Sequence, residues 1–196
     1  MSSTVLAAEP LKPKTFSRVQ IKDASGQDVW EFKGKDDGAK VVDAKERELF
    51  RLNLKDHKLK IKLPDDSVIG YVSAKPGEFK VLDSSGQKEL FELQRQADGD
   101  WKLKDVKDQL LVRIKKRDYG YELESPHEKS LFKCKLKDGK ASLRDAQDLT
   151  IYSSKDTSST LALSCLGLKA LPSDGVRLGL AAVVMWFEAE SERKTP

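Results

Sequence analysis

The chain has 196 residues, 38% hydrophobic and 35% charged, with 36 Lys and Arg against 32 Asp and Glu for a net charge of +4. That length suits one domain built round one core. The balanced charge gives no sign of a nucleic-acid binder. The mean hydropathy of −0.56 and the lack of an 18-residue apolar run argue against a membrane-spanning helix. Two His and two Cys are too few for a zinc cluster or a disulfide framework.

Residues 1–15 contain Pro10 and Pro13 and no basic stretch leading into an apolar core, so they read as a flexible tail and not as a secretory signal. Residues 191–196 read as a second flexible tail, leaving 16–190 as the domain. Cys134 and Cys165 suit a reducing, cytoplasmic compartment. Cys134 alternates in phase with Phe132 and Leu136, which aims it into a core.

The middle of the chain repeats. Leu49-Phe50, Leu90-Phe91 and Leu131-Phe132 place phenylalanines 41 residues apart twice over. Before each pair stands a Gly, a short alternating run and a polar turn. After it comes a second run of the type Lys58-Leu59-Lys60-Ile61-Lys62-Leu63. Each unit therefore reads as two hairpins, four short strands, with turns rich in Gly, Asp, Ser and Pro. A charged face alternating with an apolar one predicts an antiparallel sheet with one wet side. Three and a half units are too few for the usual propeller.

The pattern changes near the end. Thr160–Gly167 reads as one more strand. From Leu178 to Phe187 every residue is apolar or Gly, with Ser173 or Asp174 placed to cap a helix over Asp174–Glu188. A helix apolar on every side has to be buried on every side. Among strands, its place is the middle of a closed barrel. The expected fold is thus mainly β, an antiparallel barrel of about twelve or more short strands in repeated hairpins round one C-terminal apolar helix. Gly175 and Gly179 are read as close-packing positions against the barrel strands.

Repeated hairpins followed by the segment Val176 to Glu188, VRLGLAAVVMWFE, resemble the tubby C-terminal-like group, which includes the tubby proteins, the phospholipid scramblases and the LURP-one-related proteins. The turn and apolar pair of Asp83 to Phe91 are similar to strands of the LURP-one-related members. The resemblance implies a roughly twelve-stranded barrel round a central helix, and, through the tubby proteins, binding of phosphoinositide-type headgroups. The chain lacks the Cys-rich segment and calcium loop of the scramblases, which argues against lipid scrambling.

Candidate chemistry is sparse. His57 and His127 lie in turn contexts and read as solvated. Asp36-Asp37, Asp65-Asp66 and Asp98-Gly99-Asp100 fit hairpin turns, where Asp bonds its own backbone. No Walker A, dinucleotide, Gly-x-Ser-x-Gly or His-Glu-x-x-His motif occurs, so neither an enzyme nor a cofactor is expected. The basic residues carry more. Lys58, Lys60 and Lys62 recur one unit on as Lys102 and Lys104, which points to an outer basic face and weak binding of an anionic membrane surface. The partners expected are that surface or another protein, not nucleic acid, with the chain monomeric and cytoplasmic or peripheral at a membrane. An adaptor domain without lipid binding is the alternative, and a hydrolase with dispersed residues stands behind it.

Overall fold

The computed structural model describes residue 13, residues 15–157 and residues 159–188. Of the two expected tails only residues 13 and 15 lie among these. Seven hairpins follow one another along the chain. They are β1 (Arg18–Lys22) with β2 (Asp28–Lys35), β3 (Gly38–Val42) with β4 (Glu48–Lys55), and β5 (Lys58–Lys62) with β6 (Val68–Lys75). Then come β7 (Glu78–Leu82) with β8 (Glu89–Arg95), β9 (Trp101–Asp105) with β10 (Leu110–Arg117), β11 (Gly120–Glu124) with β12 (Ser130–Lys137), and β13 (Lys140–Asp145) with β14 (Thr150–Ser154). Every strand pairs with its chain neighbours, and β1 meets β14, so the fourteen close into an antiparallel barrel.

The repeat unit is one hairpin of about twenty residues, and the 41-residue period spans two of them. Each hairpin carries a β-bulge at the same place. The extra residues are Val29, Leu49, Ile69, Leu90, Leu111, Leu131 and Ile151, at each of which the register slips by one. The Leu of every Leu-Phe pair is therefore a bulge residue. A bulge bends its strand and increases the local twist, and seven spaced round a sheet curl it into closure. The loop ahead of each bulge repeats too, with a left-handed residue at Gly26, Glu46, Asp66, Gly86, Asp108, Glu128 and Asp148. These loops form one end of the barrel, here called the upper end.

The seam between β1 and β14 has a single register pair, Lys22 opposite Ser153. Below it β14 leaves the wall, and the Asp156 carboxylate accepts from the Gln20 amide at 2.8 Å in place of a strand carbonyl. The chain turns inward here. Thr160–Gly167, expected as a strand, is instead α1 (Thr160–Ser164) followed by a 3₁₀ turn (Cys165–Gly167). The apolar run alone could not separate helix from strand. Ser159 decides it locally, its hydroxyl accepting from the Ala162 amide at 3.1 Å.

The second helix, α2 (Asp174–Phe187), starts with Ser173 as its cap, the hydroxyl accepting from the Val176 amide. It then descends through the barrel. Gly175 lies against Phe50 and Ile69 near the upper end, and Gly179 lies against Ile61 and Leu59. A Cβ on Gly179 would stand 2.4 Å from Ile61 Cδ1, so glycine there lets the helix approach the wall. Leu178, Leu180, Val183 and Val184 are wholly buried. At the lower end Trp186 stacks on Phe16 at 5.2 Å and Phe187 meets His57 at 5.3 Å. His57 does occupy a turn, but it is half-buried against the helix rather than solvated. Cys134 and Cys165 are both fully buried, and burial pushes the Cys165 thiol far up.

The interior is solid. A cavity between helices and wall, lined by Phe32, Leu166 and Met185 among other described residues, measures about 10 Å³. That is at most room for a single water, in a lining that is apolar apart from Thr157. No helix among the described residues is long and apolar enough to cross a membrane. The wall itself presents charged residues outward, not the apolar band by which a barrel sits in lipid.

Two variants test this packing. Val184→Asp places a charge where nothing can compensate it and is expected to abolish soluble folded protein. Gly179→Leu forces a full side chain between α2 and β5 and is expected to lower the melting temperature by roughly 5 °C or more, read by differential scanning calorimetry.

Candidate functional site: the basic outer wall

Period-2 alternation sends the apolar set of each strand inward and the charged set outward. Outside, bases and acids interlock across strands. Glu48 pairs with Lys40 at 2.9 Å and also with Arg51, which stand opposite each other on β3 and β4. Asp66 pairs with Arg51 at 2.8 Å and Lys62 at 3.4 Å, opposite each other on β4 and β5. Glu128 reaches Arg113 at 3.2 Å, and Asp148 reaches Lys135 at 2.7 Å. The acids that bridge from the loops are the left-handed loop residues, so the turn geometry itself aims carboxylates at the strand bases.

The loops hold a second set of carboxylates by local bonding. Ser25, Ser67 and Ser85 donate hydroxyls to Asp23, Asp65 and Asp83, and backbone amides add to them. Those bonds hold all three carboxyls below the usual aspartate range. Asp98 likewise accepts from the Asp100 amide. The acidic pairs read from the sequence as turn residues do sit in turns. His127 is exposed in the β11–β12 loop, far in the chain from His57 at the opposite end of the barrel. Among the described residues no group of three His, Cys, Asp or Glu is placed to hold a metal.

The five sequence-derived lysines do not form one patch. Lys62 is tied to Asp66, and Lys104 to Asp108 at 2.7 Å, a bond that raises the Lys104 pKa. Lys102 stands opposite Gln94 and Arg113. Four strand steps separate β5 from β9 in a ring of fourteen, so the two lysine groups point about 100° apart round the barrel axis.

Lys58 and Lys60 differ from their neighbours. Among the described residues neither makes an ion pair. Their ammonium groups lie 4.9 and 5.7 Å from the centre of the Tyr71 ring. Lys58 also donates to the Gly86 carbonyl at 2.6 Å. The cause lies in the repeat. Where other loops put Glu46, Asp66, Glu128 or Asp148 against a strand base, this loop has Gly86, and the place of the base is taken by Tyr71. A Cβ on Gly86 would lie 2.9 Å from the Tyr71 ring, so the aromatic side chain requires the glycine. The result is a groove of about 750 Å³ lined by Asp37, Asn53, Leu54, Lys55, Asp56, Lys58, Lys60 and Tyr71. Its lysines suit an anion, and its Tyr and Leu suit an apolar neighbour of that anion. Tyr71 and Asn53 were missed from sequence. The available signal was Tyr71 itself, an aromatic residue where comparable strands carry Arg51, Arg113 or Lys133.

Fourteen antiparallel strands closed round a C-terminal helix define a class of barrel. No protein-family model and no curated protein matches the chain. A solved structure of an Arabidopsis thaliana protein is similar to 85% of this chain and 96% of its own, at 9% identity and a TM-score of 0.41.

The wall's titration is testable. Asp23, Asp65 and Asp83 are depressed in the fold, so their stabilisation is present above the unfolded value near pH 4 and is lost as pH falls through the folded one. Glu92 is opposite in sign. Burial, then its bond with Glu78, raises its pKa, so its ionisation opposes folding as pH rises above about 4. Glu92→Gln is therefore expected to raise the melting temperature at pH 7 and to lose that advantage by about pH 4 in a calorimetric pH series.

Proposed function

We propose that the protein is a non-enzymatic binding module that attaches weakly to anionic lipid surfaces through its outer wall, centred on Lys58 and Lys60. The observation that supports this reading is the groove in which two lysines converge on Tyr71 without an ion pair of their own among the described residues, although Asp37 and Asp56 also line it, on a wall where Arg51 and Lys62 beside them are paired. Lys62, Lys102 and Lys104 add to the field rather than to the groove. A basic group near an anionic membrane contributes about 1 kcal/mol, within a screening length of about 8–10 Å. Two or three on one face give reversible, salt-sensitive attachment without insertion. The tubby-like, phosphoinositide-binding kinship read from the sequence belongs to the same proposal.

Co-sedimentation with phosphatidylcholine vesicles, with and without phosphatidylserine or a phosphoinositide, tests it. The parent is expected to favour the anionic vesicles, about tenfold less at 300 mM than at 50 mM salt, and Lys58→Glu/Lys60→Glu is expected to abolish the preference. Equal partitioning onto neutral and anionic vesicles removes the reading.

A further inference from the structure

Lys102 and Arg113 stand directly opposite each other on β9 and β10. Like charges in that relation repel and destabilise a sheet. Among the described residues the wall leaves some such pairs unbridged, Lys55 opposite Lys58, Lys133 opposite Arg144 and Lys137 opposite Lys140, and bridges others. Lys40 opposite Arg51 is bridged by Glu48, and Arg51 opposite Lys62 is bridged by Asp66. Among the described residues no carboxylate bridges Lys102 and Arg113. Glu124, across from Arg113 on its other side, is engaged by Lys115 at 2.9 Å and Arg117 at 3.3 Å. Glu128 takes only Arg113 Nη1, at 3.2 Å.

Two further observations meet at this pair. Arg113 Nε is shielded from solvent and has no acceptor, a costly state for a charged donor. A cavity of about 300 Å³ opens beside it, lined by Gln96, Asp98, Asp100, Trp101, Lys102, Arg113 and Lys115. The two carboxylates in that lining are turned to the backbone, Asp98 accepting from the Asp100 amide at 3.0 Å and Asp100 from the Lys116 amide at 2.7 Å. Trp101 contributes no ring, since its side chain is buried and stacks on Phe79 inside the barrel.

We propose that Lys102 and Arg113 form a seat for a small oxyanion of the phosphate type, which takes the place that Glu48 and Asp66 fill at the bridged pairs. A phosphate oxygen would accept from the solvent-facing edge of the Arg113 guanidinium and a second from the Lys102 ammonium, charge-assisted bonds that also cancel the cross-strand repulsion. Asp98 and Asp100 keep the net charge of the lining at one positive unit, which holds the affinity below that of an all-basic seat. The seat lies on a different face from the Lys58 groove and does not depend on it. Free phosphate and a phosphomonoester lipid headgroup present the same chemistry.

The test is thermal unfolding at constant ionic strength, with chloride exchanged for inorganic phosphate, for the parent, Lys102→Met and Lys102→Arg. With phosphate about tenfold above its dissociation constant, the parent is expected to gain about 3–6 °C beyond the general salt effect that Lys102→Met reports. Lys102→Arg should follow the parent. In chloride alone, Lys102→Met should be at least as stable as the parent, since it removes the repulsion. A parallel arm uses phosphatidylcholine vesicles with and without phosphatidic acid. This arm is run in the Lys58→Glu/Lys60→Glu background, so that retention on the acidic vesicles that Lys102→Met removes assigns the headgroup as the source, and a phosphate response without such retention assigns the free ion. Equal phosphate gains in the parent and Lys102→Met overturn the proposal. Lys58→Glu/Lys60→Glu should keep the phosphate response, so the failure of either site is read separately.

Discussion

Everything in this fold depends on one apolar helix filling a wide barrel. Eight strands enclose a space that their own side chains can fill, whereas fourteen enclose a wider one. Left empty, such a lumen would hold water against Phe32, Leu59, Ile61 and Leu103, whose burial drives folding. With α1 and α2 inserted, the cavity beside Phe32, Leu166 and Met185 has at most one water's worth of space. The dependence runs both ways, because α2 is apolar on all sides and has no stable existence outside the wall. Gly175 and Gly179 narrow the helix where Phe50, Ile69 and Ile61 press on it. The seam opens at the one place where the chain must pass inward, and Asp156 satisfies the amide that the opening exposes.

The wall is made by repetition of a single local device. Each hairpin has a loop with one left-handed residue, then an aliphatic bulge, then a strand with a charged outer face. Because the device repeats, its charges repeat, and the left-handed loop positions become the acids that bridge bases on the strands. Function is sought where the repetition fails. At Gly86 the loop acid is missing and Tyr71 replaces the base, which leaves Lys58 and Lys60 without ion pairs among the described residues. At Lys102 and Arg113 the bridging acid is missing again. Among the described residues Lys133 and Arg144 are left unbridged as well; what marks Lys102 and Arg113 is the cavity beside them and the unpartnered Arg113 Nε.

The β-class, the closure round a helix, the cap at Ser173 and the tight glycines were legible in the chain, since each rests on local periodicity or on a residue with one structural use. The Leu-Phe pairs were legible as a period but not as bulges, because a bulge is a relation between two strands and needs the partner's register. Thr160–Gly167 was misread because a short apolar run fits helix and strand equally until its surroundings are known. His57 was placed in its turn correctly, yet its contact with Phe187 joins residues 130 positions apart, which no local pattern carries. The lysines were found by recurrence. Lys62 and Lys104 are neutralised by loop acids only four residues on, Asp66 and Asp108, whereas the contacts that set Lys58 and Lys60 apart, with Tyr71 and Gly86, come from neighbouring strands and loops and hence from three-dimensional pairing.

The central claim is that helix and wall form one cooperative structure. Native-state hydrogen exchange across a denaturant series tests it most directly, comparing the amides of Leu178–Phe187 with those of β5 and β6. Exchange of both sets only through global unfolding, with the same free energy and the same denaturant dependence, is the result expected. Exchange of the helix amides at a lower free energy while the strands stay protected would show a barrel that stands without its helix, and would contradict it.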